Sequence, residues 1–263
     1  MIAHQVQIFS NVKVSDRYWH MTVDASGLSE TVEPGQFFNI LCGNSDSLIP
    51  FLRRPLSVYR IDSDRQTLEF LYLVKGSGTK KMTEFQAGES IDIFGPLGTG
   101  FNLQESHSTI LLLARGVGIA TLAALAYKAV AENKEVIAIL SARSADDLLS
   151  ADYLTSIGVK VYKVTDEDGT SDVNKVEQLI NDLLSEYDID VLYTCGSKRL
   201  SKLMQRIAKR EGLPGEIALE EHMGCAMGVC FACVCSLKDG DETKSVRVCV
   251  EGPVFPLEQV VLS

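Results

Sequence analysis

No stretch of this 263-residue chain approaches the roughly 20 consecutive apolar residues that a helix needs to cross a bilayer. A membrane span is therefore not expected. The opening MIAHQVQIFS lacks the charged, apolar and small-residue succession of an export signal, so the expected location is the cytoplasm. Cations are scarce as well: 25 Lys and Arg stand against 35 Asp and Glu, for a formal net charge of -10. A nucleic-acid surface needs clustered Lys and Arg to neutralise phosphates, and none is expected here. Internal repeats and low-complexity tracts are absent too. The length then suits two compact domains and a small appendage.

An even cysteine count is also missing. Seven cysteines in a chain without an export signal argue against a disulfide framework. Four of them, Cys225, Cys230, Cys233 and Cys249, follow the C-x4-C-x2-C…C spacing by which plant-type proteins hold a two-iron, two-sulfur cluster. Gly224, Ala226, Gly228 and Ala232 keep the loop EHMGCAMGVCFACVC small enough for its amides to approach sulfur. Structural zinc is the rival, but zinc sites usually pair two C-x2-C knuckles. Only Cys230 and Cys233 form one, so the spacing favours an electron carrier over a zinc-stabilised nucleotide-binding sensor. Colour and metal analysis separate the two classes. Cys235, two residues past Cys233, reads as a buried neighbour or a substitute ligand, and Cys42 as a core thiol. A Rieske-type cluster needs two histidines, which leaves His222 a packing or supporting role.

Residues 1–102 read as short extended runs broken by Gly, Asp, Asn and Pro: HQVQIFSNVKVS, YWHMTVDA, FFNILCG, LSVYRI, TLEFLYLV and ESIDIFG. That spacing predicts an antiparallel β-barrel. Over residues 103–216 the runs TILLLA, EVIAILSA, VKVYKVT and DVLYTCG alternate with helical patterns near 118–132, 173–185 and 198–211. Doubly buried strands between helices predict a parallel sheet in an α/β domain. The segment 217–263 carries the cysteine motif and too few apolar residues to fold unaided, so cluster ligation is expected to stabilise it.

Two elements of the barrel have anion-binding chemistry. Arg54-Pro55-Leu56-Ser57 opens a strand, and Gly76-Ser77-Gly78-Thr79 follows the strand LEFLYLV. An arginine, a hydroxyl and a Gly-rich turn exposing its amides form a workable pyrophosphate cradle. Separately, the same residues read as a surface charge and turn glycines.

RRPLSVY, LYLVKGSGT, GPLGTGF (95–101) and MGCAMGVCFACVC…VRVCVEGPVF together resemble the ferredoxin-reductase superfamily. Within it they resemble the electron-transfer subunits of NAD-linked type-B dihydroorotate dehydrogenases. The resemblance covers the whole chain. It implies that the barrel binds FAD through Arg54, Pro55, Leu56, Ser57, Leu71, Tyr72, Leu73, Gly78 and Thr79. It implies that the α/β domain receives NAD(H) at Gly116, Gly118, Cys195 and Gly196, and that Cys225, Cys230, Cys233 and Cys249 ligate a [2Fe-2S] cluster. It further implies an FMN-containing catalytic subunit as partner, in a heterotetramer serving pyrimidine biosynthesis. Nothing in this chain supplies a dihydroorotate site or a base for C-H cleavage.

One loop departs from that pattern. Relatives carry A-G-G-x-G-x-A-P after the first strand of the α/β domain, whereas this chain reads Ala114-Arg115-Gly116-Val117-Gly118-Ile119-Ala120-Thr121. Arg115 either clamps a phosphate or fills the space a dinucleotide would take. The chain is accordingly an NADH-accepting subunit with an altered loop, or a paralogue with another donor or a different dehydrogenase or hydrogenase partner. Cys195 either flanks a nicotinamide or closes a buried strand. Tyr72 lies along the cofactor or in the core, and Asp146, Asp147 and Asp166 to Asp168 read as solvated loop charges.

Overall fold

In the computed structural model, which describes residues 2–43 and 49–262, the N-terminal runs form seven antiparallel strands. They are β1 (Ile2–Lys13), β2 (Tyr18–Asp24), β3 (Phe37–Ile40), β4 (Arg54–Ser57), β5 (Arg60–Asp62), β6 (Thr67–Leu73) and, after the short helix α1 (Ser77–Met82), β7 (Ser90–Leu97). The sheet order β4-β3-β7-β1-β2-β6-β5 puts consecutive strands β4 and β5 on opposite edges. Two residues join those edges. The Val58 amide donates to Gln36 on one side (3.0 Å) and the Tyr59 amide to Glu69 on the other (2.9 Å), curling the sheet into a barrel. Ile8, Met21, Phe38, Ile40, Leu68, Phe70 and Ile93 fill it.

Strand alternation decides the fate of Tyr72. Leu71 joins the core shared with the α/β domain, and Leu73 packs against it. Tyr72 between them points into the barrel, 1% exposed, and its hydroxyl donates to Asn11 Oδ1 (2.9 Å). Asn11 Nδ2 in turn donates to the carbonyls of Met82 (2.8 Å) and Phe85 (3.1 Å), fastening α1 to the barrel. Tyr72→Phe should therefore leave Asn11 Oδ1 without its donor and cost about 1–3 kcal/mol, read as a lower denaturation midpoint at unchanged flavin content. Lost flavin at unchanged stability would instead return Tyr72 to the cofactor.

The second sheet holds β8 (Thr109–Arg115), β9 (Glu135–Ala142), β10 (Lys160–Thr165), β11 (Val191–Cys195) and β12 (Gly215–Ala218), all parallel. Helices α2 (Ile119–Ala131) and α3 (Ala151–Ser156) cover one face, and α4 (Val173–Glu186) and α5 (Lys198–Glu211) the other. The three long helices match the sequence expectation to within a residue or two. α1 and α3 are additions, since the Gly-rich turn GSGT is itself the first turn of α1. α4 starts on Asp172, whose carboxylate accepts the Asn174 amide (2.9 Å). α5 ends on Gly212 in the left-handed region (φ 68°). α2 packs across β5 and β6 as well as its own sheet, so Tyr18, Tyr59, Leu71 and Phe101 of the barrel share one core with Ile119, Leu122 and Ala123.

Beyond β12 the chain runs through the cysteine loop into a hairpin, β13 (Val234–Asp239) and β14 (Glu242–Arg247). It then returns as β15 (Val254–Pro256), antiparallel to β12 at the sheet edge. The cysteine segment is thus anchored at both ends. It also meets the barrel exit: the Thr99 amide donates to Gly252 (2.6 Å), and a side chain at Gly98 would lie 2.5 Å from the Gly252 carbonyl oxygen. Among the described residues no helix is long and apolar enough to cross a membrane.

Candidate functional site

The cysteine loop is turned tightly by three residues at positive φ: Ala226 (55°), Gly228 (78°) and Phe231 (55°). The turn aims three amides, those of Met227 (3.4 Å), Val229 (3.3 Å) and Cys230 (3.4 Å), at Cys225 Sγ. Burial pushes the Cys225 thiol up, but these donors outweigh it and bring the pKa down to about 6. Cys230 lies within hydrogen-bonding reach of Cys225. Cys233 and Cys249 form a second such pair, in which burial first and Cys233 next push Cys249 up to about 12. Two pairs of thiols close enough to interact suit two irons with two thiolates each. A single tetrahedral ion needs four donors around one point, and among the described residues no such convergence of three or more His, Cys, Asp or Glu side chains occurs. Cys235 stands outside both pairs. It is half-buried on β13, and burial raises its thiol to about 11. Cys42 is fully buried in the barrel core. His222 is exposed, so the packing role expected for it is not what the structure shows.

On the barrel, Arg54 lies directly over Gly78: a side chain at Gly78 would come within 2.7 Å of Arg54 Cζ. Arg54 Nη1 donates to the carbonyls of Leu52 (2.6 Å) and Arg53 (3.2 Å). Among the described residues it has no carboxylate partner. Thr79 Oγ1 accepts the amides of Lys75 (3.1 Å) and Gly76 (3.3 Å), pinning the first turn of α1. Arg54, Gly78 and Thr79 are thus brought together, with guanidinium and first-turn amides on one spot that suits a phosphate group. Ser57 sits opposite Phe37 in the β3–β4 register. Phe37 shares its core with Ala226, Cys233 and Cys249.

A crevice of about 270 Å³ separates the barrel from the α/β domain, with Leu73 on one wall and Gly116, Gly118 and Gly196 on the other. It lies where the strand order reverses between β8 and β11, the usual ligand position in open α/β sheets. The two crests interlock. A side chain at Gly118 would lie 2.5 Å from the Cys195 carbonyl oxygen, and one at Gly196 2.6 Å from that of Arg115. The Cys195 thiol is buried and its pKa pushed well up by that burial, so its carbonyl and not its sulfur meets the Gly loop.

The iron–sulfur cluster binding domain of dihydroorotate dehydrogenase B matches residues 220–261. The electron transfer subunit of dihydroorotate dehydrogenase B (NAD(+)) from Bacillus cereus strain B4264 is 34% identical over 268 residues, covering all of both chains. That of Bacillus mycoides strain KBAB4 is 34% identical over 269 residues, again with full coverage. The chain belongs to the dihydroorotate dehydrogenase B electron transfer subunits. Among solved structures, an NADH-dependent reduced ferredoxin-NADP oxidoreductase chain aligns with TM-score 0.82 and 25% identity, over 98% of this chain and 90% of that one. A ferredoxin-NADP+ reductase from Plasmodium falciparum, 16% identical with TM-score 0.63 over 79% of this chain and 91% of that one, shares the fold.

In this member of the dihydroorotate dehydrogenase B family the altered loop has a structural partner. Arg115 closes β8, and its guanidinium donates to Ser141 Oγ (2.7 Å), Ser171 Oγ (3.0 Å), the Ala142 carbonyl (3.4 Å) and the Asp166 carboxylate. Arg199 at the start of α5 holds the same carboxylate (2.9 Å). The brace ties the ends of β8, β9 and β10 together. Asp166 is therefore an ion-pair acceptor as well as an exposed loop charge, and Arg115 holds its carboxyl below the usual range. Thr121 is buried in the first turn of α2 with an unpartnered hydroxyl.

Three residues in the crevice have no signal in the sequence. Arg17 and Arg143 reach it from opposite domains, and both influence Tyr18 electrostatically. Glu220, just before the cysteine loop, opens to solvent through the crevice yet is closely surrounded by protein, which raises its carboxyl. No local motif marks these residues, because only the meeting of two domains makes them neighbours.

Proposed function

We propose that the chain accepts reducing equivalents from NADH on FAD and passes single electrons through a [2Fe-2S] cluster to the FMN of a dihydroorotate dehydrogenase catalytic subunit. The observation that carries this is the two-pair cysteine arrangement, of which Cys233 and Cys249 pack in one core with Phe37, whose strand partner Ser57 belongs to the barrel site. When bound, the flavin supplies the exchange between two-electron and one-electron chemistry that a nicotinamide and a cluster need between them. Arg54 and the first turn of α1 would hold its pyrophosphate, and Leu73 would face it from the crevice wall. Gly116 lets the donor approach the backbone closely, and Gly118 and Gly196 let the two crests that flank it interlock. Cys225, Cys230, Cys233 and Cys249 take the cluster.

Around the cysteine loop, Met227, Val229, Phe231 and Val250 are exposed, Val229 by 75%. Such an apolar collar suits a permanent partner, and we assign it to the catalytic subunit, in a cytoplasmic heterotetramer with two copies of each chain.

A second reading is favoured by the Arg115 brace, which commits that guanidinium to Asp166 and leaves donor phosphates to Arg17 and Arg143. It makes the chain a paralogue with another donor or another dehydrogenase or hydrogenase partner. Anaerobic addition of NADH to the purified complex decides between them. Rapid bleaching of the flavin is expected; an FAD-replete complex that bleaches only slowly establishes the second reading. A colourless, zinc-containing, flavin-free protein overturns both.

A further inference from the structure

Arg247 ends β14, two residues before Cys249, and connects the two segments that carry the cysteines. Its Nη1 donates to the Gly228 carbonyl inside the Cys225–Cys233 loop (2.9 Å). Its Nη2 and Nε donate to Glu251 Oε1 (2.6 and 3.1 Å), two residues beyond Cys249, and its amide to Glu251 Oε2 (2.8 Å). The guanidinium also lies 5.3 Å from the ring centre of Phe231. A side chain at Gly228 would meet Val250 Cγ2 at 2.7 Å and Arg247 Nη1 at 3.1 Å, so the loop packs closely against both. The neighbouring Val248 amide donates to the Cys233 carbonyl (2.9 Å), closing the second connection between the segments.

A strut between cysteine segments does not require a charge; an amide or a hydroxyl could bridge Gly228. What the structure provides is a fixed cation against the ligand loop and a carboxylate that offsets it on the far side. Cluster potentials respond to nearby charge, hydrogen bonds and exposure. Reduction adds negative charge, so a cation favours the reduced state and an anion opposes it. We propose that Arg247 and Glu251 are a positioning pair that sets the reduction potential of the cluster, Arg247 raising it and Glu251 restraining that rise. This rests on the cluster reading above.

The test is a dithionite titration of the purified complex, followed by the electron paramagnetic resonance of the reduced cluster at constant pH and ionic strength. Arg247→Gln should lower the potential and Glu251→Gln should raise it. Each is expected to change the one-electron equilibrium about threefold to tenfold, a factor of ten being about 59 mV. Partial exposure of both side chains keeps the effect in that range. Arg247→Lys keeps the charge but not the fork, and should stay near the parent potential. A merely structural pair would move both glutamine variants the same way, because each would loosen the loop and admit water. Shifts of one sign, or no shift at full iron content, overturn the proposal. If Arg247→Gln loses its iron, the lysine and Glu251 variants still decide it. Absence of iron from the parent protein would instead mark failure of the cluster reading.

Discussion

Cys233→Ser will stop electrons leaving the protein while donor oxidation at the flavin continues. Cys233 is buried and paired with Cys249, so the change removes a proposed ligand and puts a hydroxyl in place of sulfur in their shared core. Loss of an outer partner of a metal site typically costs 10–100-fold. Loss of a ligand itself should exceed about 100-fold in delivery to the catalytic subunit, with the cluster's resonance and iron content gone. NADH-driven reduction of a small dye, which needs only the flavin, should persist. Because ligation is coupled to folding, the segment after β12 should also become protease-sensitive. The informative control is Cys235→Ser, expected to retain iron and delivery. If Cys235→Ser loses the cluster and Cys233→Ser keeps it, the ligand has been assigned to the wrong thiol.

The second large effect is expected from a single methyl group. Gly118→Ala would place a carbon 2.5 Å from the Cys195 carbonyl oxygen, 2.7 Å from its carbon and 3.0 Å from the Gly196 nitrogen. All three are backbone atoms of the adjacent crest and cannot rotate away, as a side-chain tip could. Overpacking of this kind costs about 1–3 kcal/mol, and for a chain of this size each kcal/mol lowers the melting temperature by about 2–4 °C. The variant should melt several degrees lower, and NADH oxidation should be lost, because the β8 and β11 crests must part at the crevice. FAD should remain, since Arg54, Gly78 and Thr79 lie apart from this contact. Gly27→Ala, where nothing lies within 4 Å, is the matched control and should leave stability and activity unchanged. Full NADH oxidation by Gly118→Ala would place the donor somewhere other than this crevice.

Much of this was legible in the sequence because it is local. Strand runs bounded by turn residues, three amphipathic helices and the cysteine spacing each depend on neighbours a few positions apart. Arg54 and Gly78 read as one anion cradle in the sequence, and the structure stacks one on the other. What escaped has physical reasons. The run LEFLYLV is apolar at every position except Glu69, which is too uniform to show which parity faces inward, so Tyr72 reads equally well as core or as cofactor contact. GSGT opens a helix only six residues long, too short to leave a helical period. Arg115 was recognisable as unusual. Its partner Asp166 is 51 positions away and comes alongside only because the parallel strands β8, β9 and β10 all end on the same side of the sheet.

The contact between Gly98–Thr99 and Gly252–Pro253 has a consequence for the speed of the protein. Electron tunnelling slows exponentially with the gap between donor and acceptor, so a barrel and a cysteine segment joined by a flexible linker would transfer charge in rare close approaches. Here the Thr99 amide holds the Gly252 carbonyl at 2.6 Å, and there is no room at Gly98 for even one added carbon. The backbone itself holds the two segments together, so electrons passing between cofactors bound on them would not have to wait for a movement.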